Sequence, residues 1–140
     1  MIRTKIILGS FGFVPFGVFA TLPWIMGEDK AEYSLSFLAI YGAIILSFLA
    51  GMVWGWSHKK LNKLDLFVAI IFSLIGFIII VLAKEYLLSS LILSFIAFPL
   101  FYLFEKNKSD MFEDLDYQKL RLHLTTAVSG CYLLSFLNFL

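Results

Sequence analysis

The sequence predicts an all-α integral membrane protein, built as a bundle of five transmembrane helices. Of its 140 residues, 61% are hydrophobic and 15% are charged, whereas about a quarter of a soluble domain is charged. The apolar residues fall into five long runs, each able to cross roughly 30 Å of hydrocarbon at about 1.5 Å per residue. A soluble globule of this size could not bury so much apolar surface. We therefore expect a single membrane domain over residues 1–140.

The first helix is expected over residues 6–27, a run without charge that follows Arg3 and Lys5. A basic start before an apolar run is also typical of a secretory signal peptide. The length of the run, with Pro15 and Pro23 inside it, favours an uncleaved helix. A short acidic loop is expected at residues 28–32.

The second helix is expected over residues 34–57, and its small residues recur at every fourth position. These small residues, here called the small-residue seam, are Ala39, Ala43, Ser47, Gly51 and Gly55. Four-residue spacing places them above one another on one helix face, which lets a neighbouring helix approach closely. The alternative interpretation is a cleft that admits a flat ligand, such as a quinone or a lipid tail.

The remaining apolar runs predict helices over residues 66–83, 86–104 and 118–140. A single helix across 66–104 would be about 58 Å long, so a tight hairpin is expected at Lys84-Glu85. Residues 105–117 form the one sizeable polar segment and are expected to be a cytoplasmic loop and docking surface. Within it, Asp110 and Glu113 have the spacing of a capping box.

Five spans place the two termini on opposite sides of the membrane. Nine of the eleven basic residues fall on the side of the N-terminus, and Lys30 and Lys84 fall on the other. Because basic residues are concentrated on the cytoplasmic side, the N-terminus is expected to be cytoplasmic and the C-terminus outside. The expected location is the bacterial inner membrane.

Three motifs resemble the family called domain of unknown function 3429, which includes bacterial inner-membrane proteins and the animal mitochondrial transmembrane protein 69. The motifs are Leu8-Gly9…Gly12…Pro15-Phe16, Tyr41-Gly42-Ala43…Gly51…Trp54-Gly55 and Tyr117…Leu120-Arg121…Leu124-Thr125. Family members often carry Gly where this chain has Ala50, and His where it has Val53. A role that rests on that histidine therefore cannot be carried over to this chain. The resemblance implies the topology and little chemistry.

A ligand or headgroup site is expected near the cytoplasmic end, from Trp54, Tyr117, Arg121 and Thr125. Arg121 enters the last span on the same helix face as Tyr117 and Glu113. Its guanidinium would then either snorkel and pair locally with an acid, or bind an anionic headgroup or a partner's carboxylate. The threonine would either bond back to a helix carbonyl or add a hydroxyl to the site.

The sequence does not favour catalysis or a cofactor. No nucleophile–base pair, zinc-protease motif or phosphate loop occurs, and Cys131 is the single cysteine. We predict no catalytic residue, no metal site and no cofactor. Two histidines on facing helices, His58 and His123, could ligate a haem, but their different expected depths favour interfacial histidines without a ligand. The first four predicted spans contain no acid, which argues against an ion-coupled transporter.

The leading hypothesis is therefore a protein that acts by association, as an accessory subunit or assembly factor of a larger membrane complex. Its expected partners are membrane lipids and other membrane subunits or further copies of itself, and no nucleic acid. The first alternative is a lipid- or quinone-binding protein, with an enzyme that acts on such a ligand as one form of it. The second is a small transporter or channel.

Overall fold

The computed structural model describes residues 2–57 and 59–139, with the side chains of residues 2, 28 and 29 left out. This part of the chain contains five α helices that are long and apolar enough to cross a membrane. The helices are α1 (Ile2–Ile25), α2 (Glu28–Met52), α3 (Lys63–Glu85), α4 (Leu87–Lys108) and α5 (Leu115–Phe136). The predicted fold class, an all-α bundle of five membrane-spanning helices, is confirmed.

Several helix ends differ from the ends of the apolar runs that predicted them. Residues 28–32, expected as a loop, are the first turns of α2, since Ala, Glu and Lys are strong helix formers. At its other end α2 stops at Met52, and Val53–Gly55 form a 3₁₀ turn. The expected hairpin at Lys84-Glu85 turns at Tyr86, between α3 and α4.

The largest difference concerns the expected polar loop 105–117. Helix α4 continues to Lys108 and α5 already begins at Leu115, so the connection shortens to residues 109–114, with a 3₁₀ turn at Asp110–Glu113. Apolar runs mark only the part of a helix that hydrocarbon covers, and polar turns at the ends are helical as well. The docking surface expected over this loop is correspondingly smaller.

Polar side chains cap the first turns of α3 and α5. At α3, the Asn62 side chain accepts a hydrogen bond from the Asp65 amide, and the Asp65 carboxylate accepts one from the Asn62 amide. This reciprocal pair is a capping box, which the sequence had suggested for Asp110 and Glu113. Helix α5 is instead capped by Asp114, whose carboxylate accepts from the amides of Asp116 and Tyr117.

Helix α2 is the central element of the bundle. The five helices pack in a ring in chain order, with α5 closing against α1, and α2 also contacts α4 across the ring. In the α2 span 44% of the residues are buried, against 17–33% in the other four spans. The second helix of the chain is therefore the one around which the others pack.

Tyr132 of α5 lies fully buried against α2, beside a glycine. Its ring stacks on Phe98 and meets Phe16 edge-on, and its hydroxyl lies directly over Gly42. A Cβ atom at Gly42 would overlap that hydroxyl. This position therefore needs glycine because of its close neighbour and not because of its backbone angles.

We predict that Gly42→Ala destabilises the protein by about 1–3 kcal/mol, the usual cost of overpacking a core. The measurement is thermal unfolding in detergent, followed by circular dichroism. Adding Tyr132→Phe should recover part of the loss, because it removes the overlapping oxygen. Gly130→Ala is the matched control, since a Cβ there meets open space. Equal stability of Gly42→Ala and the wild type would contradict this account of the core.

Candidate functional site

A buried ion pair joins α4 to α5 near one end of the bundle. Glu105 is fully buried, and its Oε1 accepts a hydrogen bond from Arg121 Nε at 2.6 Å. Its Oε2 accepts a second one from the Tyr117 hydroxyl at 2.8 Å. Arg121 is 8% exposed and Tyr117 5%. These three residues, here called the Glu105 cluster, satisfy both oxygens of a carboxylate that water does not reach.

The helix geometry explains why these side chains meet. Tyr117 and Arg121 lie four residues apart on one face of α5, and the short connection from α4 brings the last turn of α4 beside that face. Phe112, in the 3₁₀ turn between the helices, is buried and packs edge-on against the Tyr117 ring at 5.6 Å. The connection itself therefore helps to cover the cluster.

The partner of Arg121 differs from the one that the sequence suggested. Glu113, expected beside Tyr117 and Arg121, is exposed in the 3₁₀ turn. The apolar run of α4 ends at Phe104, so the sequence predicts a loop at Glu105. A usable signal exists, since buried positions of α4 recur at Ser94, Phe98, Phe101 and Glu105 with helical spacing. Residues 86–104 contain no acid, but α4 continues beyond them and includes the buried Glu105.

Beside the Glu105 cluster, an apolar groove of about 400 Å³ runs between the N-terminal half of α1, the C-terminal half of α2 and α5. Helix α1 contributes Lys5, Leu8, Gly9, Gly12, Phe13 and Phe16, and α2 contributes Ile45, Phe48, Leu49 and Met52. Helix α5 contributes Tyr117, Leu120, Arg121, Leu124, Thr125 and Val128, with Phe98 of α4 and Met111 completing the wall. The groove opens on the surface, because Leu8 and Phe48 at its wall are each 65% exposed.

Two interactions hold the groove open between α1 and its neighbours. The Tyr41 hydroxyl of α2 donates to the Gly12 carbonyl of α1 at 2.8 Å. On the other side, α1 packs closely against α5 at Gly9, where an added Cβ would lie 3.4 Å from Leu124 Cδ1. At Gly12 an added Cβ would meet open space. Gly12 therefore borders free space at the groove wall.

Polar groups gather at one end of this otherwise apolar groove. Arg121 Nε binds Glu105, and neither Nη group donates to an atom of the described residues. The Lys5 ammonium lies 4.0 Å from Met111 Sδ, and no described carboxylate lies within 4 Å of it. The Thr125 hydroxyl forms no hydrogen bond within the described part of the chain, whereas Thr21 bonds back to the carbonyl of Gly17. These donors are available to a ligand.

Three of the four residues expected at a ligand site meet in this groove, namely Tyr117, Arg121 and Thr125. Trp54 does not line it; it lies in the 3₁₀ turn after α2 with 58% of its surface exposed. Lys5 and Glu105 were missed, because neither belongs to an apolar run. His58 lies outside the described residues, and His123 is exposed on α5.

The small-residue seam divides into two parts. Ala39 and Ala43 are fully buried, and a Cβ added at Gly76 of α3 would lie 2.7 Å from Ser47 Oγ and 3.0 Å from the Ala43 carbonyl oxygen. Helices α2 and α3 therefore approach each other closely there. Gly51 and Gly55 are exposed, and an added Cβ at either would meet open space among the described residues.

A second and wider cavity of about 740 Å³ lies at the opposite end of the bundle, where α1, α3 and α5 end and α2 and α4 begin. The amide nitrogen of Asn138 is buried there without a hydrogen-bond partner in the described residues. The carboxylates of Glu32 and Glu85 also border this cavity.

The sequence matches a known protein family. The family model described as Protein of unknown function (DUF3429) matches residues 1–137. The match confirms the resemblance indicated by the three sequence motifs, while the relation to transmembrane protein 69 stays a prediction. No curated protein and no solved structure matches the chain.

We predict that the contributions of Glu105 and Arg121 to the free energy of unfolding depend strongly on each other. Glu105→Gln and Arg121→Gln should each cost about 3–5 kcal/mol, because each leaves the other charge buried and unpaired. The double variant leaves no charge behind, so its cost should be well below the sum. Unfolding in detergent measures all three, with Glu113→Gln as the exposed control. Additive costs would show that the two charges do not depend on each other.

Proposed function

We propose that this chain, which belongs to the DUF3429 family of multi-pass membrane proteins, binds one amphipathic membrane lipid in the groove between α1, α2 and α5. The observation that carries the proposal is the groove itself. It is apolar along most of its length and ends at hydrogen-bond donors of Arg121, Lys5 and Thr125. Pockets for small ligands have this composition, mostly apolar with a few polar groups that fix orientation.

The dimensions of the groove support an elongated occupant. Its α1 wall extends from Lys5 to Phe16, about 16 Å at 1.5 Å per residue. That length matches a substantial part of one hydrocarbon leaflet, which is about half of roughly 30 Å. A lipid would lie with its polar group at Lys5 and Arg121 and its chain along Phe13, Ile45 and Val128.

The charge distribution supports an orientation with the polar end of the groove toward the cytoplasm. Helices α1, α3 and α5 begin at this end and α2 and α4 finish there, so nine of the eleven basic residues belong to it. By the positive-inside rule, we propose that the N-terminus is cytoplasmic. We also propose the bacterial inner membrane as the location.

Filling the groove should expel the lipid without harming the fold. In Gly12→Leu the new side chain enters open space at the groove wall and takes the place of several ligand methylenes. Each buried methylene contributes about 0.8 kcal/mol, so retention should fall at least about tenfold. Native mass spectrometry of protein purified in mild detergent measures the bound lipid.

Gly130→Leu is the matched control, because it adds the same side chain at an exposed position of α5 outside the groove. It should retain the lipid. If the wild type carries no lipid at all, or if both variants lose it equally, the groove is not the binding site.

We also propose association with another membrane subunit through the end of α2, as an accessory subunit or assembly factor. One observation favours it: Gly51 and Gly55 are exposed beside Phe48 and Trp54, which are themselves 65% and 58% exposed. Glycines at four-residue spacing let a transmembrane helix of a partner approach the backbone.

This second proposal predicts that a partner copurifies from the native membrane in mild detergent and is lost in Gly51→Leu/Gly55→Leu. The bulky side chains prevent close approach of a helix and should leave the monomer folded, since they meet open space. A wild-type protein that runs as a monomer, with nothing copurifying, would contradict it.

A further inference from the structure

We infer that the occupant of the groove is a phospholipid with an anionic headgroup, whose phosphate binds the free edge of Arg121 together with Lys5. The inference rests on the proposed function and adds the chemical class of the ligand. It depends on the charges that face the groove, the way Arg121 is held, and the depth at which it lies.

The charges that face the groove are all positive. Arg121 and Lys5 are the charged residues that line it, and no acidic side chain of the described residues lines it. Glu105 lies behind Arg121 and neutralises about one of the two positive charges. One positive charge therefore remains for the ligand, which favours an anionic lipid over a neutral quinone. The cation of a zwitterionic headgroup would be repelled by the positive charge that Lys5 and Arg121 keep after pairing with Glu105.

The guanidinium is held in one orientation for such a ligand. Arg121 Nε donates to Glu105 Oε1, and the second carboxylate oxygen is fixed by Tyr117. The Nη groups remain without acceptors in the described part of the chain, although the side chain is nine-tenths buried. A planar guanidinium binds a phosphate with two parallel hydrogen bonds, and one fixed at Nε loses little freedom when it does so.

The position of these groups along the bundle fits a phospholipid. Arg121 lies in the second turn of α5, near the membrane surface, and Thr125 lies one turn deeper with its hydroxyl free. The phosphate of a phospholipid is likewise the outer group, and its ester groups lie deeper. Basic pockets between transmembrane helices on the cytoplasmic side are a recurring site for anionic headgroups.

The test measures lipid selectivity of the full chain in nanodiscs of phosphatidylcholine and phosphatidylglycerol in equal amounts, with and without ubiquinone. Native mass spectrometry after release identifies the lipid retained. We expect phosphatidylglycerol to be retained about tenfold over phosphatidylcholine, since hydrogen bonds to charged groups are the stronger ones. Lys5→Gln should lower this ratio severalfold.

Lys119→Gln is the matched control, because it removes the same charge from an exposed position of α5 outside the groove. It should keep the wild-type ratio. Equal retention of the two phospholipids, preferential retention of ubiquinone, or equal effects of the two lysine variants would overturn the headgroup inference while the groove still binds a lipid. Retention of no lipid by the wild type would overturn the proposed function as well.

Glu105→Gln gives a second readout that a merely structural ion pair would not produce. Without the carboxylate, the Arg121 charge depends on the lipid phosphate for compensation. The variant should therefore gain more thermal stability than the wild type when phosphatidylglycerol replaces phosphatidylcholine. Equal gains in the two proteins would contradict the inference. If the variant is too unstable to fold in either lipid, the comparison of Lys5→Gln with Lys119→Gln decides the inference.

Discussion

The buried carboxylate of Glu105 is the constraint on which this end of the molecule depends. A charge buried in the protein without a partner costs several kcal/mol, so Glu105 must have Arg121 and Tyr117 beside it. That requirement fixes the rotation of α5 against α4 and the path of the short connection between them. It also fixes the position of Arg121 at the wall of the groove. A single buried acid thereby connects the packing of two helices to the chemistry of the candidate site.

The helices pack closely in other parts of the bundle but leave the groove between α1, α2 and α5. Helix α2 meets α3 at Gly76 and meets Tyr132 of α5 at Gly42 without room for one further carbon atom. Toward the N-terminal end of α1 the packing is looser, since a Cβ at Gly9 would lie 3.4 Å from Leu124 Cδ1 and a Cβ at Gly12 would meet open space. Small residues therefore have opposite consequences in the two regions: they let helices touch in one and leave a channel in the other.

Much of this fold could be predicted from the sequence, because hydrocarbon imposes long uncharged runs on every span. The five helices, the hairpin after Glu85 and the central position of α2 follow from run length and from the spacing of Ala39 and Ala43. The helix ends could not be placed in the same way. They depend on caps such as Asn62 and Asp114 and on polar turns that composition does not distinguish from loop.

The candidate site could be predicted only in part. The four-residue spacing of Tyr117, Arg121 and Thr125 places them on one face of the last helix, and all three line the groove. Glu105 and Lys5 lie at the ends of other helices, and their meeting with Arg121 is a property of the tertiary packing alone. Trp54 belongs to the 3₁₀ turn that follows α2 and does not line the groove.

One measurement tests the central claim, that Glu105 holds Arg121 for an anionic lipid. The chain has two arginines, Arg3 and Arg121, so Arg3→Lys protein grown with ¹⁵N-arginine carries a single labelled guanidinium. Solid-state NMR in phosphatidylglycerol bilayers can then detect dipolar coupling between its Nη nitrogens and lipid ³¹P. We predict strong coupling, as expected for charge-assisted N–H···O contacts of about 2.7–2.9 Å, and its loss in Gly12→Leu. Absence of ³¹P coupling in the folded protein, or coupling unchanged in Gly12→Leu, would contradict the account.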